Sequence, residues 1–85
     1  MRGGERLEEI KERIEKDIDK FHQSVRRLEK IQLSEEEKRI VELAKMYNSD
    51  AKSWLEKGDF YTSFSSVAYA HGLLDAVLKI RKIIE

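Results

Sequence analysis

The residues best suited to chemistry are a histidine and an aspartate on one predicted helix. His71 and Asp75 are four positions apart, a spacing that puts both side chains on the same helical face. A carboxylate beside an imidazole can orient the ring for proton transfer. A histidine on an apolar face is more commonly satisfied by one structural hydrogen bond, and no serine or cysteine nucleophile stands in a recognisable motif. We therefore predict no catalytic residue and no enzyme activity.

Asp19 and His22 form a second polar pair, three positions apart. They match half of a carboxylate-bundle metal site, which takes Glu-x-x-His from two helices and further glutamates from two others. His71 with Asp75 is the only other candidate pair, and the chain has no cysteine. We expect neither a metal nor another cofactor.

A run of fifteen residues without formal charge, from Phe60 to Leu74, stands out in a chain in which 40% of the residues are charged. On a helix this run and its continuation form two apolar faces, which predicts packing against two partner helices. The first face holds Phe60, Phe64, Val67, His71, Leu74 and Leu78, and the second holds Ala70, Leu73, Val77, Ile80 and Ile84.

The remaining face of this helix is uncharged over its first half, before Asp75, Lys79 and Lys82. It carries Tyr61, Ser65, Ala68 and Gly72 at spacings of three and four. Because exposed helix faces normally carry charge, we predict that these residues form an interaction surface for a protein partner or for a second copy of the chain.

Three helices must position these residues, at about 5–31, 35–57 and 60–84. Apolar residues repeat every three or four positions in each segment, the period of an amphipathic helix. Ser34 followed by Glu37 predicts a capping box at the second helix. Gly58 and Asp59 predict its C-terminal turn and the N-cap of the third helix. Such short connections predict an all-α, antiparallel up-down-up three-helix bundle that forms a single domain over residues 1–85.

Two places leave alternatives open. Asp17 and Ser24 interrupt the apolar stripe of the first helix, either half-exposed beside it or in a buried polar contact with the third helix. Asn48 to Asp50 are poor helix formers, so the second helix either continues through them or breaks there.

Composition excludes several classes of protein. Lys plus Arg equals Asp plus Glu at 17 each, so no net charge attracts nucleic acid or an anionic membrane. No apolar run approaches the roughly 20 residues that cross a bilayer, and the first residues lack the apolar segment of a signal peptide. We expect a cytoplasmic protein without a membrane partner.

Nucleic acid is not an expected partner either. Eight basic residues gather at the end of the bundle that holds the first turn, but six glutamates share that end, and the balance falls short of the 6–10 phosphate contacts of a typical binder. The basic residues are Arg26, Arg27, Lys30, Lys38, Arg39, Lys79, Arg81 and Lys82.

The segment GDFYTSFSSVAYAHGLLDA, from Gly58 to Ala76, with AKMY and AKSWLEK before it, resembles the archaeal domain of unknown function 357 family. The resemblance covers about Ser34 to Ile84, whereas the first helix matches only in its amphipathic pattern. It implies a small three-helix bundle, an archaeal source and no established activity.

The hairpin around Gly58 also resembles the nucleotide-binding helical family known as HEPN. Ribonucleases of that family place an arginine four to six residues before the histidine, where this chain has Val67, Ser66 and Ser65. The preferred hypothesis is a non-catalytic protein-interaction module. The alternative is a nucleotide- or RNA-linked helical domain in which His71 acts as an acid–base group or contacts a phosphate.

Overall fold

The computed structural model describes residues 2–81, with side-chain surroundings from residue 6 onward. It contains three α-helices, α1 (Arg2–Glu29), α2 (Glu35–Glu56) and α3 (Phe60–Ile80), and the described residues include no strand. The all-α prediction is confirmed: α2 and α3 begin at the predicted residues, and the other helix ends that can be compared differ by one to three residues. The predicted extension of α3 over residues 82–84 lies outside the described residues.

Both connections form as local sequence chemistry predicts. The Ser34 hydroxyl accepts a hydrogen bond from the Glu37 amide at 3.1 Å, and the Glu37 carboxylate accepts one from the Ser34 amide at 2.8 Å. Gly58 adopts a φ of 85°, a left-handed conformation that glycine takes at little cost. Asp59 then caps α3 by accepting from the Thr62 amide at 3.0 Å.

The core consists of two apolar clusters stacked along the bundle. One lies towards the end that bears the α1–α2 turn and the other towards the α2–α3 turn. The second cluster joins the first half of α1 to the end of α2 and the start of α3, the order that an up-down-up arrangement requires. The first cluster contains Phe21, Val25, Leu28, Val41, Ala44, Ala70, Leu74, Val77 and Leu78, and the second contains Ile14, Ile18, Ala51, Leu55 and Val67.

Contacts between α2 and α3 are the most extensive, and those between α1 and α2 are the least. The molecule measures 49 × 24 × 15 Å between its outermost Cα atoms, so it is long and flat. Few positions are covered on all sides in such a shape, and this explains why several predicted core residues are exposed. Phe64, from the first apolar face of α3, is 47% exposed, and Ile80 from its second face is exposed too. Leu7 and Ile10 on the apolar stripe of α1 and Trp54 on that of α2 are also exposed.

Helix α2 continues through Asn48 without a break, and Asn48 is buried. Ser63 is buried as well, and its hydroxyl donates to the Ala51 carbonyl at 2.6 Å. Asp17 and Ser24 are half-buried beside the α1 stripe. Among the described residues, the buried polar side chains therefore lie on α2 and α3 rather than on α1.

Candidate functional site

The imidazole of His71 links α3 to α1. Its Nε2 lies 2.6 Å from the backbone carbonyl oxygen of Asp17, and because a carbonyl only accepts, Nε2 carries the proton and donates it. The ring also packs edge-on against Phe21, with centroids 5.9 Å apart. Asp75, the predicted partner, is half-buried, and the hydrogen bonds found among residues 6–81 do not join it to His71.

The predicted interaction surface on α3 is open to solvent. Tyr61 is 83% exposed, and Ser65, Ala68 and Gly72 are exposed along the same face. A Cβ atom placed on Gly72 would meet nothing within 4 Å. The fold brings these four residues together as one uninterrupted stripe.

A groove with aromatic walls lies where α3 begins, beside the first half of α1. We call it the aromatic groove; it has a volume of about 460 Å³. Leu7 is exposed on α1 one turn before it. Of the residues that line this groove, sequence periodicity predicts only Tyr61 on an interaction surface, because it places Phe64 on a face that packs against a partner helix. The groove is lined by Ile10, Arg13, Phe60, Tyr61 and Phe64.

A second groove, the α1–α2 groove, runs between the helices that contact each other least and has a volume of about 520 Å³. Asn48 lies in it, 4% exposed, and its buried Oδ1 has no hydrogen-bond partner in the structure. The groove is lined by Ile18, Phe21, His22, Val25, Arg26, Glu29, Lys45, Asn48, Ser49 and Lys52.

The burial of Asn48 has a signal in the sequence. Val41, Ala44, Asn48, Ala51 and Leu55 follow one another at spacings of three and four, so the asparagine occupies a position of the apolar stripe. The low helix propensity of Asn48 to Asp50 instead makes a helix break one of the two expected outcomes at this position. Position in the stripe, rather than propensity, identifies it as a buried polar group.

Arg81 at the end of α3 binds the capping box of α2. Its Nε donates to Glu37 Oε2 at 2.9 Å, a second guanidinium nitrogen donates to Glu37 Oε1, and the same nitrogen contacts the Gln32 carbonyl at 3.2 Å. The hydrogen bond from Arg81, followed by that from the Ser34 amide, lowers the pKa of Glu37 to about 2. Arg81 pairs with Glu37, and Lys38 lies 3.5 Å from Glu35. Glutamates therefore offset basic residues at the end of the bundle that holds the α1–α2 turn.

The described residues contain neither a cluster of metal ligands nor a membrane span. Within residues 2–81, no three His, Asp or Glu side chains converge to hold a metal ion. Asp19 and His22 are both exposed. In the same part of the chain, no helix is both long and apolar enough to span a bilayer.

The family described as "Protein of unknown function (DUF357)" matches residues 7–83. The chain belongs to this family. The DUF357 match includes α1 from Leu7 onward, whereas the sequence resemblance covers about Ser34 to Ile84. Both grooves are built by residues within the DUF357 match. A comparison with curated proteins gave no match.

Proposed function

We propose that the protein is a non-catalytic helical module that pairs with a second copy of itself through the aromatic groove. The observation that supports this most is the continuous exposed apolar surface formed by Tyr61, Phe64 and Ile10, with Leu7 one turn away. Each Å² of apolar surface removed from water contributes about 25 cal/mol. A contiguous exposed patch of this kind is typical of an interaction site.

The choice of a second copy rests on shape and charge. Leu7 and Ile10 are exposed on α1 along the edge of the groove, and Ile10 also lines it, so one surface carries both an apolar ridge and a groove. A two-fold axis can seat the ridge of each copy in the groove of the other, as an isologous interface requires. The formal net charge of zero means that two copies do not repel each other at long range.

The engagement of His71 supports the non-catalytic part of the proposal. Its Nε2 proton is committed to the Asp17 carbonyl, so that nitrogen is not free to exchange a proton with a substrate. The proposal includes neither a membrane nor a nucleic acid as partner, and it places the protein in the cytoplasm of an archaeal cell on the basis of composition and family resemblance.

Self-association is measured by light scattering coupled to size exclusion over a range of concentrations. We expect a weak dimer at high concentration, because a patch of about five side chains is smaller than the roughly 1,600 Å² of a standard stable interface. Tyr61→Glu and Phe64→Glu should each abolish the dimer, since either change places a charge in the apolar contact. Met46→Glu is the matched control, because Met46 is an exposed apolar residue of α2 outside the groove.

The stripe variant Ala68→Glu with Gly72→Lys separates the groove from the rest of the α3 face. If pairing uses the aromatic groove alone, this variant dimerises like the wild type; if it also uses the stripe, the dimer weakens. A wild-type protein that stays monomeric at every concentration, or a Met46→Glu variant that loses the dimer as completely as Tyr61→Glu, would refute the proposal.

A further inference from the structure

We infer that two copies pair with their α1 helices antiparallel, and that Glu9 of each copy forms an ion pair with Arg13 of the other beside the aromatic groove. The inference rests on the proposed self-association and adds its orientation and the charged residues that select that orientation. A dimer that forms equally well without these ion pairs would overturn the inference and leave the proposed function standing.

Arg13 lies at the edge of the aromatic groove. Among the described residues that line this groove, Arg13 alone is charged. It is exposed on α1, and within residues 6–81 its guanidinium takes part in no ion pair. A shallow hollow on the other side of Arg13 is lined by charged side chains that include Glu9 and Asp17. Arg13 therefore marks the boundary between an apolar surface and a charged one, the arrangement of an interface core and its polar rim.

Charges of opposite sign alternate along this side of α1. Arg6, Glu9, Arg13 and Asp17 follow one another at spacings of three and four, so they lie on one helical face. Glu9 is exposed, and like Arg13 it takes part in no ion pair among residues 6–81. The face therefore presents a row of alternating charges to a second helix.

A two-fold axis that crosses α1 near residue 11 pairs each of these charges with its opposite. Two helices related by such an axis run antiparallel, and residues equally far before and after the axis face each other. Glu9 of one copy then faces Arg13 of the other, and Arg6 faces Asp17. An axis at Arg13 itself would instead place Arg13 against Arg13 and Glu9 against Asp17, and this like-charge contact disfavours that register.

The position of the groove selects the same axis independently. On α1 the groove is lined by Ile10 and Arg13, whose midpoint also lies near residue 11. An axis at this level brings Ile10 of one copy to the level of the aromatic walls of the other, those of Tyr61 and Phe64. One register therefore satisfies both the apolar contact and the ion pairs. Exposed ion pairs add little affinity, but they fix the orientation of two partners.

Charge reversal in two separate variants tests this register. Glu9→Arg makes both positions of the pair positive and Arg13→Glu makes both negative, so like charges meet in each homodimer. We expect either variant alone to dimerise about tenfold more weakly than the wild type, because two symmetric ion pairs are replaced by repulsions. An equimolar mixture of the two should form a heterodimer with a dissociation constant within about threefold of the wild-type value. Sedimentation equilibrium measures these constants, and native mass spectrometry identifies the heterodimer.

Glu15→Arg and Lys11→Glu are the matched controls. They shift the formal net charge of zero in the same directions and by the same amounts as the two test variants. Each lies two positions from Arg13, a spacing that puts it on a different side of the helix, and neither residue lines the aromatic groove. We expect each control to dimerise like the wild type, and their mixture to show no preference for the heterodimer.

The outcomes separate this inference from the proposed function. A wild-type protein that stays monomeric refutes both. If the wild type dimerises, then charge-reversed variants that dimerise equally well alone, or a mixture that forms no more heterodimer than the controls do, refute the antiparallel register only. The wild type supplies a further measurement without substitution: about 0.5 M NaCl should weaken the dimer by screening the ion pairs, and a dimer that is unchanged or stronger in salt also refutes them.

Discussion

At the residue scale, Glu37 has two structural roles that depend on one ionised carboxylate. It closes the capping box with Ser34 at the start of α2 and binds the Arg81 guanidinium at the end of α3. Arg81 and Glu37 are separated by 44 residues in the chain, so protonation of this single group affects both a helix terminus and a contact between helices.

The pH dependence of stability follows from the lowered pKa of Glu37. The carboxyl has an ordinary value of 4.5 and a folded value of about 2, so its contribution is fully present above pH 4.5 and is lost as the pH falls from 4.5 towards 2. We expect Glu37→Gln to melt at a lower temperature than the wild type near pH 6 and the difference to shrink over that interval. Calorimetry at several pH values measures it.

Glu36→Gln is the control for this prediction, since Glu36 occupies the same helical turn and is exposed. Its melting temperature near pH 6 should stay closer to that of the wild type, since the change removes only the interaction of one exposed carboxylate with the helix N-terminus. A constant difference between Glu37→Gln and the wild type from pH 6 to pH 2 would show that the carboxylate charge does not contribute.

At the scale of the helix, we expect alanine substitutions at Gly58 and Gly72 to change the stability of the protein in opposite directions. Gly72 lies inside α3 with open space around its Cα, so Gly72→Ala should stabilise the protein by about 0.5–1 kcal/mol. Gly58 has a φ of +85°, so Gly58→Ala should destabilise it by about 1 kcal/mol or more because alanine is strained there.

Urea unfolding of the two alanine variants provides the measurement, and each serves as the control for the other. The result should be independent of protein concentration if Gly72 has no role in pairing. Destabilisation by Gly72→Ala that grows with protein concentration would instead indicate that a second helix approaches this position closely.

The helix ends could be predicted from sequence because their causes are local. Ser34 with Glu37, and Gly58 with Asp59, each act within about four residues, and the structure confirms both turns. The exposure of Phe64 and the contact of Arg81 with Glu37 depend on how the helices are rotated and offset. An apolar period marks the face of a helix but not how much of that face a neighbour covers, so the aromatic groove could not be predicted.

At the scale of the whole molecule, α2 and α3 form a more tightly linked unit than α1 does with either. The Ser63 hydroxyl and the Arg81 guanidinium both join α3 to the α2 side of the bundle, and the α2–α3 contacts are the most extensive. The hydrogen bonds of the described side chains include one direct link from α1 to another helix, that of the Asp17 carbonyl to His71.

Hydrogen exchange should therefore show that α1 separates from the bundle more readily than α2 and α3 separate from each other. We expect the amides of α1 to exchange faster than those in the centres of α2 and α3, because fewer contacts must break to release α1. His71→Ala should accelerate exchange in α1 more than in α2. NMR or mass spectrometry resolves these segments, and equal exchange rates in all three helices would show that the bundle opens only as a whole.

The elongated outline has a consequence for small-angle X-ray scattering. The Cα radius of gyration is 14.1 Å, compared with about 12 Å for a compact domain of this length. The aromatic groove lies towards one end of the 49 Å long axis, so pairing through it lengthens the particle towards twice that dimension. Pairing along the Ser65–Gly72 face, which runs along α3, would place the two copies side by side and lengthen the particle less. The interatomic distance distribution of the dimer therefore distinguishes the two surfaces without any substitution.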